Sequence, residues 1–197
     1  APNSVQEMHD HVAEAFDLAF KYRNPAMILA DGAIGQMMEK VVLAPQRPRK
    51  TIAEIKAECE AWAAMGKPSG RGRNVVTSLE LQSEKMEIIN RRLQDKYKAL
   101  EENEVRYEAV ECDDADYVIV AFGSSARICS ATVEMARAEG LKVGLLRPIT
   151  LYPFPTRQIA ALAARGVKGF LSAELNAGQM VEDVRLAVNG KAPVEHY

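Results

Sequence analysis

The sequence has few cysteines, and they are not arranged to hold a metal. Cys59, Cys112 and Cys129 are the only three, they are widely spaced, and no C-x-x-C motif occurs. They therefore do not provide the ligands of an iron–sulfur cluster by themselves. An odd number of scattered thiols is typical of a reducing compartment, so we expect a cytoplasmic protein in which each cysteine is a structural residue.

The chain also lacks long apolar runs and an excess of either charge. No apolar run approaches the roughly 20 residues that span a bilayer, which argues against a membrane protein. The formal net charge over 197 residues is −2, so no basic surface for nucleic acid or anionic lipid is expected. Residues 1–4 carry neither a basic nor an apolar stretch, so we expect no signal peptide. Both ends would suit a piece of a longer polypeptide.

The composition supports a folded core, because 48% of residues are hydrophobic and 26% are charged. Ser4 and Glu7 fit a capping box at the start of a helix, and Pro25 follows its end. The apolar stripe of this helix comprises Val5, Met8, Val12, Phe16 and Ala19. The apolar run 26–30 is typical of a strand buried on both faces, and residues 35–40 are expected to open another helix. These elements are too few to cover that strand without more sheet beside it.

Residues 44–76 are punctuated by proline and glycine, and they contain one predicted helical stretch, Ile52 to Met65. We interpret them as a linker that lies on another surface. Arg71–Arg73 could bind an anion, and an exposed loop is the plainer interpretation. Apolar residues at helical spacing predict a long connecting helix from Thr77 to about Tyr107, with a short coiled coil as the alternative.

Residues 113–190 alternate apolar strand-like runs with helical stretches. The predicted strands are 117–122, 141–146 and 167–173, and the last predicted helix is Gln179 to Val188. Short links between alternating strands and helices predict an α/β fold with a parallel sheet and right-handed crossovers. Residues 193–197 look like the start of a further strand.

Two turns follow predicted strands, where open α/β sheets present functional groups. The turn Gly123–Ser125 precedes a helix N-terminus, which favours an anion, but it lacks the dinucleotide and P-loop signatures. A serine N-cap is the simpler interpretation. The turn Glu174–Gln179 combines a carboxylate, an amide and the start of a helix. These residues could contact a ligand, but they are just as common as loop and capping residues.

Neither aspartate nor histidine offers a convincing metal site. Asp31-Gly32 resembles part of a thiamine diphosphate motif, but Ala30 precedes it and no Asn-Asn pair follows in residues 51–70. A hard divalent cation would lack its partners there, so we expect Asp31 to be a turn or interface residue. His9 and His11 are two residues apart on a helix and face apart.

Three strings lie in order along the chain: residues 24–32 with 35–37, residues 146–155, and residues 174–179. They read NPAMILADG with GQM, LRPITLYPFP, and ELNAGQ. Together they resemble the alpha subunits of 2-oxoacid:ferredoxin oxidoreductases, closest to the 2-oxoglutarate and 2-oxoisovalerate types. The likeness extends over nearly all of the chain.

The resemblance implies three parts, all within an α/β architecture. Residues 1–43 would be the C-terminal tail of a pyrimidine-type thiamine-binding domain, residues 44–112 a linker with a long helix, and residues 113–197 a transketolase C-terminal-like domain. The complete enzyme would oxidatively decarboxylate a 2-oxoacid to an acyl-CoA and reduce ferredoxin. It would use thiamine diphosphate, magnesium and iron–sulfur clusters.

The resemblance also implies that those cofactors are held elsewhere in the complex. The thiamine diphosphate-binding beta subunit and a ferredoxin-like subunit would be partners, together with ferredoxin and coenzyme A. No catalytic residue is carried over to this chain and no cofactor is expected in it, so we expect it to be inactive alone. Its role would be subunit assembly and shaping of the active site or the coenzyme A approach.

Six residues at predicted carboxyl ends of strands are the candidate interface or ligand contacts. They are Gly123, Ser124, Arg147, Glu174, Asn176 and Gln179. Arg147 could equally form an ion pair with Glu174 across neighbouring strands. A stand-alone module that uses the helix at Gly123-Ser124 to bind a small anion is the alternative from a different class. An independent thiamine enzyme is disfavoured by the missing magnesium motif.

Overall fold

The computed structural model describes residues 1–64, 66–67 and 69–197. They form two units, the first made of Ala1–Val42 and Lys96–Tyr197 and the second of Leu43–Asp95. The helices and strands are α1 Val5–Tyr22, α2 Gly32–Gln36, α3 Ile52–Cys59, α4 Ser83–Asn103, β1 Tyr107–Val110, β2 Tyr117–Ala121, α5 Gly123–Ala138, β3 Val143–Pro148, α6 Thr156–Arg165, β4 Gly169–Ala173, α7 Met180–Val188 and β5 Val194–His196. The α/β prediction is confirmed. No helix of the described part is long and apolar enough to cross a membrane.

A five-stranded sheet in the order β1-β3-β2-β4-β5 organises the first unit. Strands β2 to β5 run parallel, as predicted, and β1 pairs antiparallel with β3 at one edge. The edge strand β1 was missed, because the long helix was expected to continue through Tyr107. That helix ends at Asn103 instead, and Tyr107 pairs with Pro148.

The core lies on both faces of the sheet, because successive side chains of β2 point to opposite sides. Val118 and Val120 join a cluster with residues of α6 and α7, whereas Ile119 and Ala121 join a cluster with residues of α5. In the sheet, β3 lies on one side of β2 and β4 on the other, so the β2–β3 and β3–β4 connections cross the sheet in opposite directions. Right-handed crossovers then place α5 on one face and the next two helices on the other.

Gly144 is a position on β3 where the fold requires the absence of a side chain. An added Cβ would lie 2.8 Å from the carbonyl oxygen of Glu111 and 3.0 Å from the Cα of Cys112. We expect Gly144→Ala to lower the free energy of unfolding by about 1–3 kcal/mol, because backbone must move. Urea denaturation measures this. Gly35→Ala is the control, since its Cβ would meet nothing within 4 Å; equal effects of the two variants would contradict the prediction.

The first predicted helix is confirmed, although its apolar stripe is only partly covered. The hydroxyl of Ser4 accepts a hydrogen bond from the Glu7 amide at 3.2 Å, as a capping residue should. No residue of α1 is buried, and Phe16 is 65% exposed. Val12 is exposed as well, whereas Val5, Met8 and Ala19 are half-buried, so this unit covers only part of the stripe.

The strand predicted at residues 26–30 is wrong for the described chain. These residues form no strand, they pair with none of the five strands of the sheet, and Met27 is 85% exposed. An extended segment becomes a strand only when a neighbour takes its backbone hydrogen bonds. The helix expected at residues 35–40 is instead α2, which ends at Gln36.

The second unit contains less regular structure than expected. Helix α3 ends at Cys59, whereas the predicted helix continued to Met65, a residue that lies outside the described part together with Pro68. Helix α4 begins at Ser83 rather than at Thr77. The guanidinium of Arg71 donates to the side-chain oxygen of Asn74 at 2.9 Å, so it stabilises a local loop.

Candidate functional site

The six candidate residues lie at one edge of the sheet. Strands β2, β3 and β4 are parallel, so their carboxyl ends share that edge. The turns after β2 and β4 leave it toward opposite faces, because α5 and α7 cover opposite sides. Such a switch point is where open α/β sheets usually bind ligands.

Glu174 is the centre of the turn after β4. Its buried carboxylate accepts backbone hydrogen bonds from Gln179 at 3.1 Å, Met180 at 2.8 Å and Val181 at 2.9 Å. These amides belong to the first turn of α7, where the helix dipole favours a negative charge. Glu174 thus caps a helix that begins several residues later in the chain.

Two side chains complete the hydrogen bonding of the Glu174 carboxylate. The Ser172 hydroxyl donates to it at 3.0 Å and the Asn176 side-chain amide at 3.1 Å. The Asn176 oxygen accepts from the Gly178 amide at 2.8 Å, which holds the turn closed. Gly178 has φ +99, a conformation that other residues rarely adopt.

The electrostatics of this turn favour an ionised Glu174. Burial raises the pKa of the carboxyl, but the hydrogen bonds from the amides of Met180, Gln179 and Val181 outweigh it and the pKa lies below its usual value of 4.5. Burial raises the pKa of Asp183 on the same helix, and the charge of Glu174 raises it further.

Arg147 is 3% exposed and forms ion pairs with two carboxylates. Its two terminal nitrogens donate to Glu7 at 2.7 and 2.8 Å, and its Nε donates to Glu108 at 2.9 Å. The predicted pair with Glu174 is wrong, because β2 lies between β3 and β4. Although burial opposes ionisation, the guanidinium holds the pKa of Glu7 below its ordinary value.

The N-terminus of α5 already binds a side-chain carboxylate of the same chain. The Ser124 amide donates to Oδ2 of Asp31 at 3.3 Å, while Oδ1 accepts from the amides of Ala33 and Ile34. Hydrogen bonds from the Ser124 side chain and the Ile34 amide lower the pKa of Asp31. The predicted serine N-cap is wrong, since Phe122 is the N-cap of α5. Asp31 is the N-cap of α2, which agrees with the turn residue that the sequence predicts.

In the described part of the chain, neither Asp31 nor the cysteines are arranged to bind a magnesium ion or an iron–sulfur cluster. Both oxygens of Asp31 already accept backbone amides. The Cys112 thiol donates to the carbonyl of Leu145 at 3.3 Å, and burial raises the pKa of Cys112 and of Cys129. Within the described ranges, no group of three or more His, Cys, Asp or Glu side chains could hold a metal ion.

A cleft that the sequence did not reveal lies beside this edge. Its volume is about 380 Å³, and it is bounded by α1, residues 24–29 and the loop 149–153. Arg106 pairs with Glu14 at 2.6 Å on its wall. Its residues come from distant parts of the chain, so no local motif marks it.

Two family descriptions match most of the chain. "Pyruvate flavodoxin/ferredoxin oxidoreductase, thiamine diP-bdg" matches residues 1–107, and "Pyruvate:ferredoxin oxidoreductase core domain II" matches residues 115–197. The fold and these matches place the chain among the 2-oxoacid:ferredoxin oxidoreductases, the family to which it belongs. The resemblance inferred from its three strings is therefore confirmed.

Named relatives are subunits of such enzymes. Ketoisovalerate oxidoreductase subunit VorB of Methanothermobacter marburgensis is 49% identical over 187 residues, which are 95% of this chain and 51% of that protein. 2-Oxoglutarate synthase subunit KorA of the same organism is 32% identical over 214 residues, covering 99% of this chain and 57% of that protein. The chain thus spans about half the length of the curated relatives that it matches.

A solved structure supports the fold. The 2-oxoglutarate:ferredoxin oxidoreductase from Magnetococcus marinus, with 2-oxoglutarate, coenzyme A and succinyl-CoA bound, matches with a TM-score of 0.57 and 22% identity. The match covers 68% of this chain and 25% of that chain. It shows the α/β fold that the sheet and its helices define.

Proposed function

We propose that this chain is the C-terminal part of the alpha subunit of a thiamine diphosphate-dependent 2-oxoacid:ferredoxin oxidoreductase. The complete enzyme converts a 2-oxoacid to an acyl-CoA by oxidative decarboxylation and reduces ferredoxin. The 49% identity to a ketoisovalerate oxidoreductase subunit, against 32% to a 2-oxoglutarate synthase subunit, favours a branched-chain 2-oxoacid as substrate. We propose that the enzyme acts in the cytoplasm.

The role of this chain within the enzyme is structural, and one observation carries that proposal. The charged side chains at the carboxyl edge of the sheet are already bound within the protein: Glu174 caps α7, and Arg147 binds two carboxylates. Groups held in this way shape a wall and leave little capacity for acid–base chemistry. The six candidate residues therefore form a docking or pocket-lining edge near the approach of coenzyme A.

Assembly is the second part of the role. Helix α1 and residues 25–30 expose Phe16, Met27 and Leu29, and apolar surfaces of this kind usually mark contacts with other protein. The thiamine diphosphate-binding beta subunit is the partner that we propose for this surface. A ferredoxin-like subunit with the iron–sulfur clusters, and ferredoxin itself, complete the electron path.

We propose three parts for this chain. Residues 1–43 form the tail of a pyrimidine-type thiamine-binding domain, residues 44–112 the linker, and residues 113–197 a transketolase C-terminal-like domain. The family matches at 1–107 and 115–197 support a boundary near residue 112. The separation of Leu43–Asp95 as its own unit supports the first part of this linker, whereas residues 96–112 belong to the unit that carries the sheet.

Assays of the chain alone and of the complete enzyme test this function. The purified chain should neither bind thiamine diphosphate with Mg²⁺ in calorimetry nor consume 2-oxoisovalerate. The complete enzyme that contains it should reduce ferredoxin only when 2-oxoisovalerate and coenzyme A are both present. Turnover by the isolated chain, or no 2-oxoacid-dependent reduction by the complete enzyme, would overturn the proposal.

A further inference from the structure

Residues 1–42 contribute little to the apolar core of the first unit. All of them are described, and only Pro2 and Ile34 are buried. By contrast, four of the five residues of β2 are buried. Apolar burial is the main source of folding free energy, so another kind of interaction must hold this segment in place.

Several ion pairs link residues 1–42 to the rest of the first unit, and most of them have the same orientation of charge. Carboxylates lie on the segment and guanidinium groups lie on the sheet domain formed by residues 96–197. The pairs are Glu7 with Arg147 at 2.7 Å, Glu14 with Arg106 at 2.6 Å, and Glu39 with Arg127 at 2.6 Å. Lys21 with Glu104 at 2.6 Å has the opposite orientation.

These ion pairs extend along the whole segment. Glu7 and Glu14 lie on α1, and Glu39 follows α2. Between them, Asp31 accepts from the Ser124 amide at the start of α5. The cleft lies along the same joint, between α1 and the loop 149–153. Separation of the segment from the sheet domain would therefore open the cleft.

We propose that residues 1–42 dock on the sheet domain through an electrostatic joint that opens as one unit while the sheet stays folded. Partly exposed ion pairs contribute little each and are screened by salt. Elements with few buried apolar contacts open locally before the core unfolds. The buried Arg147 pair fixes the position to which the segment returns.

Amide hydrogen exchange of the whole chain, measured by mass spectrometry in low salt and in about 1 M NaCl, tests the joint, because the Debye length falls to about 3 Å. A released α1 of 18 residues is a marginal helix in water. We expect exchange in α1 and α2 to rise about tenfold with salt. Exchange in β2 and β4 should not change. Equal exchange of α1 and β2 at both salt concentrations would overturn the proposal.

Charge reversal separates this joint from general destabilisation. Arg127→Glu should raise the exchange of α1 and α2 in low salt, and adding Glu39→Arg should restore most of the protection. Arg185→Glu is the matched control, because Arg185 pairs with Glu182 on α7 and not with the segment. The proposal fails if the reversed pair exchanges as fast as the single variant, or if the control opens α1 equally.

Discussion

Replacing Glu174 with glutamine should lower the free energy of unfolding by about 2–4 kcal/mol. The carboxylate accepts from three backbone amides of α7, and these bonds lose their charge assistance in the amide. The NH₂ group of the glutamine would also point at backbone N–H donors, with which it cannot form a hydrogen bond. Urea denaturation at neutral pH measures the loss. Glu182→Gln, on α7 itself, is the control. The Glu182 side chain is 70% exposed, so this variant should lose less than about 0.5 kcal/mol of unfolding free energy.

The difference in unfolding free energy between the parent chain and Glu174→Gln should change with pH in a defined direction. The pKa of Glu174 is lower in the folded protein than its ordinary 4.5, so the folded state favours the ionised form. The stability that it contributes is complete above about pH 4.5 and falls as the pH drops through the lower folded value. The gap between the parent chain and Glu174→Gln should therefore narrow in acid. A gap that widens below pH 4.5 would show that the carboxylate is not the stabilising form.

In the complete enzyme, the same substitution tests the proposed docking edge. The turn Glu174–Gln179 depends on the carboxylate for its shape, so we expect Glu174→Gln to lower turnover or to weaken subunit assembly. Activity with 2-oxoisovalerate and the mass of the complex by light scattering report the two effects. Full activity with an intact complex would contradict a pocket-lining or interface role for this turn.

The fold of residues 113–197 was predictable because its signals are local. The central strand β2 is a continuous apolar run, and glycine or proline separates the strands from the helices. Parallel strands buried on both faces give this pattern, and right-handed crossovers then fix the connections. The turn after β4 was also located correctly. Its composition left ligand contact and capping equally open, and the structure shows that Glu174 caps α7.

The features that sequence could not provide depend on partners distant in the chain. Edge strand β1, Tyr107–Val110, has mostly exposed residues and no apolar run, so only its pairing with β3 defines it. The run 26–30 has the composition of a strand, but it pairs with none of the five strands of the described structure. The ion pair between Glu7 and Arg147 joins residues 140 positions apart. Spacing within a motif carries no information about such a contact.

Replacing Arg147 with methionine should cost about 2–4 kcal/mol, because it leaves the Glu7 carboxylate without its partner. The cost is somewhat below that of a fully buried pair, since Glu7 is 27% exposed. Methionine keeps an unbranched side chain and removes the guanidinium charge. Arg91→Met is the control, because its pair with Glu87 lies on an exposed helix surface and should contribute less than about 0.5 kcal/mol.

A double-mutant cycle with Glu7→Leu shows whether the charges themselves matter. The double variant should recover much of the loss, because two apolar side chains replace a desolvated ion pair, and the coupling energy should exceed about 1 kcal/mol. Urea unfolding of the four proteins gives that value. Hydrogen exchange on the same samples separates two origins of the loss. If α1 alone loses protection in Arg147→Met, the pair holds the electrostatic joint. Loss of protection in β3 as well would mean that Arg147 also stabilises the sheet, through its ion pair with Glu108 on β1. Strictly additive single effects would contradict a direct interaction between Glu7 and Arg147.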